Sequence, residues 1–237
     1  LKPRQTINTI LKSMPAISCQ EISKSYGHYQ VLRNVILTVH EGECFSLFGP
    51  NGAGKTTLLK ILATLQRPSE GRYEILGMDG LQNKEAIRGH LVFLGHGTHL
   101  YDDLNAYENL EFFLALRGDS PTTQDMKLAL DRVGIGAFAE MKVRNNSAGM
   151  KKRLALAKAV LAKPKVLLLD EPFTALDTAG TQIMREYIRE QLSERGTVLM
   201  ATHDYDKARP ITSRAGVLQQ GSIQEISIDA LKPDDFF

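Results

Sequence analysis

Two apolar rhythms share this chain. Val166–Leu169 and Val198–Ala201 are short runs without polar interruption, the form of central parallel strands buried on both faces. Leu91–Leu94 is a third such run, and Cys44-Phe45-Ser46-Leu47-Phe48 a fourth, broken only by one small hydroxyl. Between these runs, apolar residues recur at helical spacing over Thr57–Ala63, Asn105–Leu116, Gln124–Val133, Lys151–Ala162 and Thr181–Arg195. Ala16–Ile22 and Val31–Val39 read as strands around a turn at Gly27-His28, and Arg72–Leu76 as another short strand. Arg214–Gln219 and Ser222–Ile226 close the pattern as a strand pair about Gln220-Gly221. The order predicts one α/β domain over 16–237, with its core over 16–96 and 164–226. A helical insertion is expected over 97–163 and a tail over 227–237.

Residues 1–15 stand apart. They hold Lys2, Arg4 and Lys12, no acid, and Ile7, Ile10, Leu11 and Met14 at helical spacing. That pattern suits either an amphipathic surface-binding segment or a frayed terminus.

The candidate chemistry begins where an apolar strand meets a helix. Gly49-Pro50-Asn51-Gly52-Ala53-Gly54-Lys55-Thr56 fits G-x-x-x-x-G-K-[ST] between Cys44–Phe48 and the helix expected over Thr57–Ala63. A strand, a glycine-rich turn and a helix N-terminus form an anion cradle, because backbone N–H groups and the positive end of the helix dipole converge there. Gly52 and Gly54 let the chain wrap phosphates closely. Lys55 supplies charge to the β- and γ-phosphates, Thr56 a hydroxyl for Mg2+, and Gly49, Asn51 and Thr57 complete the cradle. The predicted ligand is a nucleoside triphosphate.

Such a site needs a carboxylate for the metal and, for hydrolysis, a group that activates water. Leu167-Leu168-Leu169-Asp170-Glu171-Pro172 offers both at a strand end. Asp170 can hold Mg2+, directly or through water, and Glu171 can act as general base. Composition narrows the partners. Lys and Arg total 29 against 27 acids, and a net charge of +2 gives no argument for nucleic acid. No apolar run approaches the roughly 18 residues of a spanning helix, so a membrane role is expected only through a partner. Cys19 and Cys44 form no C-x-x-C pair and suggest no disulfide framework.

From about Ala16 onward the chain resembles the nucleotide-binding subunits of ABC transporters. The resemblance implies a P-loop core of ABC ATPase type with an N-terminal antiparallel β subdomain and an inserted helical subdomain. It implies further roles position by position. Tyr26 in Lys24-Ser25-Tyr26-Gly27 matches the aromatic that stacks on adenine. Asn146-Ser147-Ala148-Gly149-Met150 matches the signature loop, with Ser147 and Gly149 facing the γ-phosphate bound by a second subunit. Ala175-Leu176-Asp177 matches the loop that crosses between subunits, and His203 in Thr202-His203-Asp204 the switch histidine. The implied assembly is a dimer of ATPase subunits joined to permease subunits at the cytoplasmic face of a membrane, using ATP and Mg2+. The groove from His96 to Asn109 would receive a permease helix.

Three positions depart from the family pattern. His96 stands where a glutamine usually reaches the metal and the attacking water, and it reads either as a substitute ligand or as a histidine that has lost the contact. Asn146 replaces a common leucine, and Ala148 a common glycine. Leu94-Gly95-His96, Ser147-Ala148-Gly149 and Asp170-Glu171-Pro172-Phe173-Thr174-Ala175 together resemble the ATPase of the haem exporter of cytochrome c biogenesis. A different class stays open at this level: a soluble ABC ATPase that scaffolds a cytosolic assembly, of the iron–sulfur cluster type.

Overall fold

The computed structural model describes residues 15–95 and 97–230. Residues 1–14 and 231–237, and with them most of the N-terminal segment and the end of the tail, lie outside the described residues, as does His96. Pro15 is the first residue of a strand rather than the last of an extension.

In chain order the strands are β1 (Pro15–Tyr26), β2 (Tyr29–His40), β3 (Cys44–Phe48), β4 (Glu70–Ile75), β5 (Met78–Asp79), β6 (Leu91–Leu94), β7 (Val166–Asp170), β8 (Thr197–Ala201), β9 (Arg214–Gln219) and β10 (Ser222–Ile226). The α-helices are α1 (Lys55–Leu62), α2 (Lys84–His90), α3 (Ala106–Ala115), α4 (Thr123–Arg132), α5 (Ala148–Ala162), α6 (Thr178–Ser193) and α7 (Tyr205–Ala208). A four-stranded antiparallel sheet runs β2-β1-β4-β5, and a six-stranded sheet runs β10-β9-β3-β8-β7-β6. Its strands β9, β3, β8, β7 and β6 are parallel, with β10 antiparallel at the edge.

The uninterrupted apolar runs are explained by two cores. Successive strand side chains point to opposite faces. Cys44, Phe48, Leu167, Leu169, Val198 and Met200 therefore enter one core, with residues of α3, α4, α5 and α6. Phe45, Leu47, Val166, Leu168, Leu199 and Ala201 enter the other, with α1 and the small antiparallel sheet. Neither face can carry a polar residue without burying it, so alternation disappears from the sequence. The helical insertion α3–α5 leaves the sheet after β6 and returns at β7.

Boundaries move where caps decide them. Helix α5 begins at Ala148, three residues before the apolar pattern, because the Ser147 side chain accepts from the Met150 N–H. Helix α6 begins at Thr178 because Asp177 caps it in the same way. Helix α2 was not expected at all. It buries only Ile87, and one apolar residue makes no period.

Candidate functional site

The phosphate loop leaves the carboxyl end of β3, where loops of an open parallel sheet gather ligands. Gly49 has φ 143°, and a Cβ there would lie 2.3 Å from the Leu218 carbonyl oxygen. Gly54 caps α1 at φ 107°, and its Cβ would lie 2.9 Å from side-chain carbons of both Val31 and Leu32. Only glycine fits either position. The first turn of α1 carries no acid. Its N–H groups and dipole are thus available to an anion.

Lys55 folds back over the loop, its ammonium donating to the carbonyls of Gly49 at 2.5 Å and Pro50 at 3.0 Å. Burial lowers its pKa, against the pull of Glu171 and Asp170. Those carbonyls hold the ammonium over the loop. The Thr56 hydroxyl donates to Asp170 Oδ2 at 2.8 Å, joining the start of α1 to the end of β7. Two oxygens of this kind suit a hard divalent cation such as Mg2+, which binds one or two protein oxygens and takes the rest from water and phosphates. Among the described residues, no group of three or more His, Cys, Asp or Glu forms a metal site by itself.

Glu171 is fixed from several sides. Its φ is 50°, in the left-handed region that a side-chain-bearing residue rarely enters. Its N–H donates to the Ala201 carbonyl at 2.8 Å, across from β7 to β8. His203 Nδ1 lies 2.9 Å from Oε1, and the Thr202 hydroxyl donates to Oε2 at 3.3 Å. A cavity of about 480 Å³ lies between these groups and the loop, lined by Asn51, Gly52, Gly54–Thr57, Asp170, Glu171 and His203, with Val31, Ala53 and Thr174.

The structure thus brings together Asn51, Gly52, Gly54, Lys55, Thr56, Thr57, Asp170, Glu171 and His203, while Gly49 sits buried at the loop's base. The remaining expected residues are elsewhere. Ser147 caps α5, and Gly149 passes so close to Ala175 that a Cβ would be 2.8 Å from its carbonyl oxygen. Asp177 caps α6, accepting from the Gly180 N–H at 2.7 Å and from Arg153 at 2.5 Å. These bonds hold its carboxyl below the usual range, the Gly180 N–H first. None of the three lines the cavity. Neither does Tyr26, whose hydroxyl donates to Gln66 at 2.8 Å while the Lys24 ammonium stands 5.2 Å from its ring centre. Sequence reasoning assigned no role to Thr202, which is fully buried, or to Lys152, whose ammonium donates to the Glu171 carbonyl. Both bond groups distant in sequence, and only their proximity to the motifs could have drawn attention.

The ABC transporter family pattern matches residues 32–174, from the second strand to the loop after Glu171. The chain belongs to the ABC transporter family. Its relatives in that family include the spermidine/putrescine import ATP-binding protein PotA of Mesoplasma florum, 34% identical over 93% of this chain and 63% of that protein. The cytochrome c biogenesis ATP-binding export protein CcmA 2 of Cupriavidus metallidurans is 31% identical over 92% of this chain and 98% of its own length. The chain spans only about three fifths of the import ATP-binding proteins it matches. Among solved structures, the dimeric post-hydrolysis state of the ATP-binding cassette MJ0796, bound to ADP and Pi, superposes with a TM-score of 0.81 at 27% identity. That match covers 91% of this chain and 100% of the cassette. An ATP-binding subunit of an ABC transporter gives a TM-score of 0.83 at 25% identity, covering 90% of each chain. The family resemblance carried by the motifs holds, as does the ABC-type fold.

Proposed function

We propose that this chain binds and hydrolyses ATP to drive an ABC transporter from the cytoplasmic face of a membrane. The observation that carries hydrolysis is the carboxylate of Glu171, held by His203 and Thr202 at the edge of a cavity that ends on the phosphate loop. In this reading Glu171 takes a proton from the attacking water, and His203 steadies the carboxylate and meets the γ-phosphate. Lys55 and the N–H groups of α1 hold the phosphates. Thr56 and Asp170 would hold Mg2+, which supplies positive charge to the phosphate oxygens when bound. Tyr26 is the adenine contact of this reading, and His96 a ligand near the metal and water.

Ser147, Gly149 and Asp177 lie outside the cavity, and this supports an assembly of two ATPase subunits, in the simplest case two copies. An isologous pair would present each α5 N-terminus to the partner's γ-phosphate. ATP then favours the closed pair because that contact exists only there, and hydrolysis removes it. Permease subunits would feel the difference. Among the described residues no helix is long and apolar enough to cross a membrane.

Haem export for cytochrome c biogenesis is the transport task favoured by the residue motifs, and it is supported by the near full-length match to an export protein of that pathway. The named relatives are transport proteins, and nothing in the site favours a cytosolic scaffold instead. The experiment is phosphate release and light scattering on the purified chain with ATP and Mg2+. ATP-dependent dimers and a specific rate that rises with chain concentration support the reading. A monomer that hydrolyses at a constant specific rate would count against the shared site.

A further inference from the structure

We infer that Lys152 is a positioning residue for hydrolysis, holding the backbone of Glu171 in the conformation that aims its carboxylate at the cavity. The inference rests on the reading of Glu171 as general base. Lys152 lies in the second turn of α5 and is only 6% exposed. Lysine is rarely buried to that extent unless its ammonium is paired. Here the ammonium donates to the Glu171 carbonyl at 3.0 Å and stands 3.5 Å from the Asp170 carbonyl.

Those carbonyls end β7 at the point where the chain leaves the sheet. Glu171 has φ 50°, and a residue with a side chain stays in that region only when its surroundings over-determine it. Three sets of bonds do so. The Glu171 N–H is tied to Ala201, its carboxylate to Thr202 and His203, and its carbonyl to Lys152, with the Thr174 N–H at 3.3 Å. Lys152 is the member of the third set that carries charge, and a charge-assisted bond is the stronger kind.

The next residue grips the far end of the same segment. Arg153 donates to Asp177 Oδ1 at 2.5 Å, and Gly149 packs on the Ala175 carbonyl. The first two turns of α5 thus hold residues 171–177 at start, middle and end. Ser147 caps this same helix. A change in the position of the α5 N-terminus is therefore carried by Lys152 to the carbonyl of Glu171.

The test compares K152M and K152Q with the parent in steady-state ATP hydrolysis by the full chain, with E171Q alongside. Methionine keeps the volume and removes every donor; glutamine keeps one amide donor on a shorter arm. K152M is expected to lower kcat at least tenfold with the KM for ATP within twofold of the parent, and K152Q to lie between. In the E171Q background, K152M should lower the residual rate no further. If K152M does not fold, K152Q alone should lower kcat at least threefold at unchanged KM. A folded K152M within twofold of the parent kcat, a KM that rises in step with the loss, or, failing K152M, a K152Q within twofold of the parent overturns the inference. An E171Q variant that turns over like the parent defeats the base assignment instead. An inactive E171Q beside a fully active K152M defeats only the role of Lys152.

Discussion

Thr202 and Glu171 are joined by a hydrogen bond of 3.3 Å from the threonine hydroxyl to Oε2, while His203 takes Oε1 at 2.9 Å. The carboxylate is thus oriented by two adjacent residues that follow β8, and Thr202 does this from a fully buried position. The same hydroxyl accepts from the Asp204 N–H at 3.1 Å, so one side chain shapes both the loop and the carboxylate.

Thr202→Val keeps the shape and removes the hydroxyl. Loss of the bond to Glu171 should lower kcat by on the order of tenfold, since misplacing a catalytic group costs rate rather than binding. The KM for ATP should hold, because Thr202 does not line the cavity. The unpaired Asp204 N–H should cost about 1–3 kcal/mol of stability in denaturant unfolding.

Lys55→Ala removes the ammonium that rests on the Gly49 and Pro50 carbonyls. A bond to a charged phosphate is worth about 1.5–3 kcal/mol, which predicts ATP affinity roughly ten- to a hundredfold weaker in calorimetry. Parent-like affinity in this variant would remove the loop from phosphate binding.

Lys158 gives a pH-dependent prediction. It lies buried on α5, its ammonium donating to the His99 carbonyl at 3.0 Å and standing 5.3 Å from the Phe113 ring centre. Burial pushes its pKa down to about 8 from 10.5. The folded state therefore disfavours the charged lysine, and below pH 8 that penalty, on the order of 3 kcal/mol before the two contacts offset it, is fully present. Between pH 8 and 10.5 the unfolded chain holds more protons than the folded one, so stability rises with pH. The stability of the parent relative to Lys158→Met should increase across this window in denaturant titrations. A flat difference would show that Lys158 does not titrate there.

The fold was legible where it follows from local pattern. Runs such as Val166–Leu169 announce a strand because both of its faces are buried, whereas α5 and α6 start three residues ahead of the apolar pattern because Ser147 and Asp177 cap them. The loop and the Asp170-Glu171 pair were legible for a similar reason, since each is a contiguous motif. What the sequence hid depends on segments far apart in the chain. Lys152 reaches a carbonyl 19 residues away, and Thr202 a carboxylate 31 residues away. Neither side chain has a period or a motif of its own. The left-handed backbone at Glu171 was hidden too, because tertiary bonds impose it on a residue with no preference for it.

The most direct test of the account is Glu171→Gln, assayed for ATP affinity and for phosphate release in the same preparation. Glutamine preserves the shape of the side chain but removes its charge and basicity. General-base catalysis contributes typically 10²–10⁴-fold. ATP affinity is expected within twofold of the parent and phosphate release slower by at least a hundredfold. Hydrolysis at the parent rate with ATP bound would contradict the general-base role of Glu171.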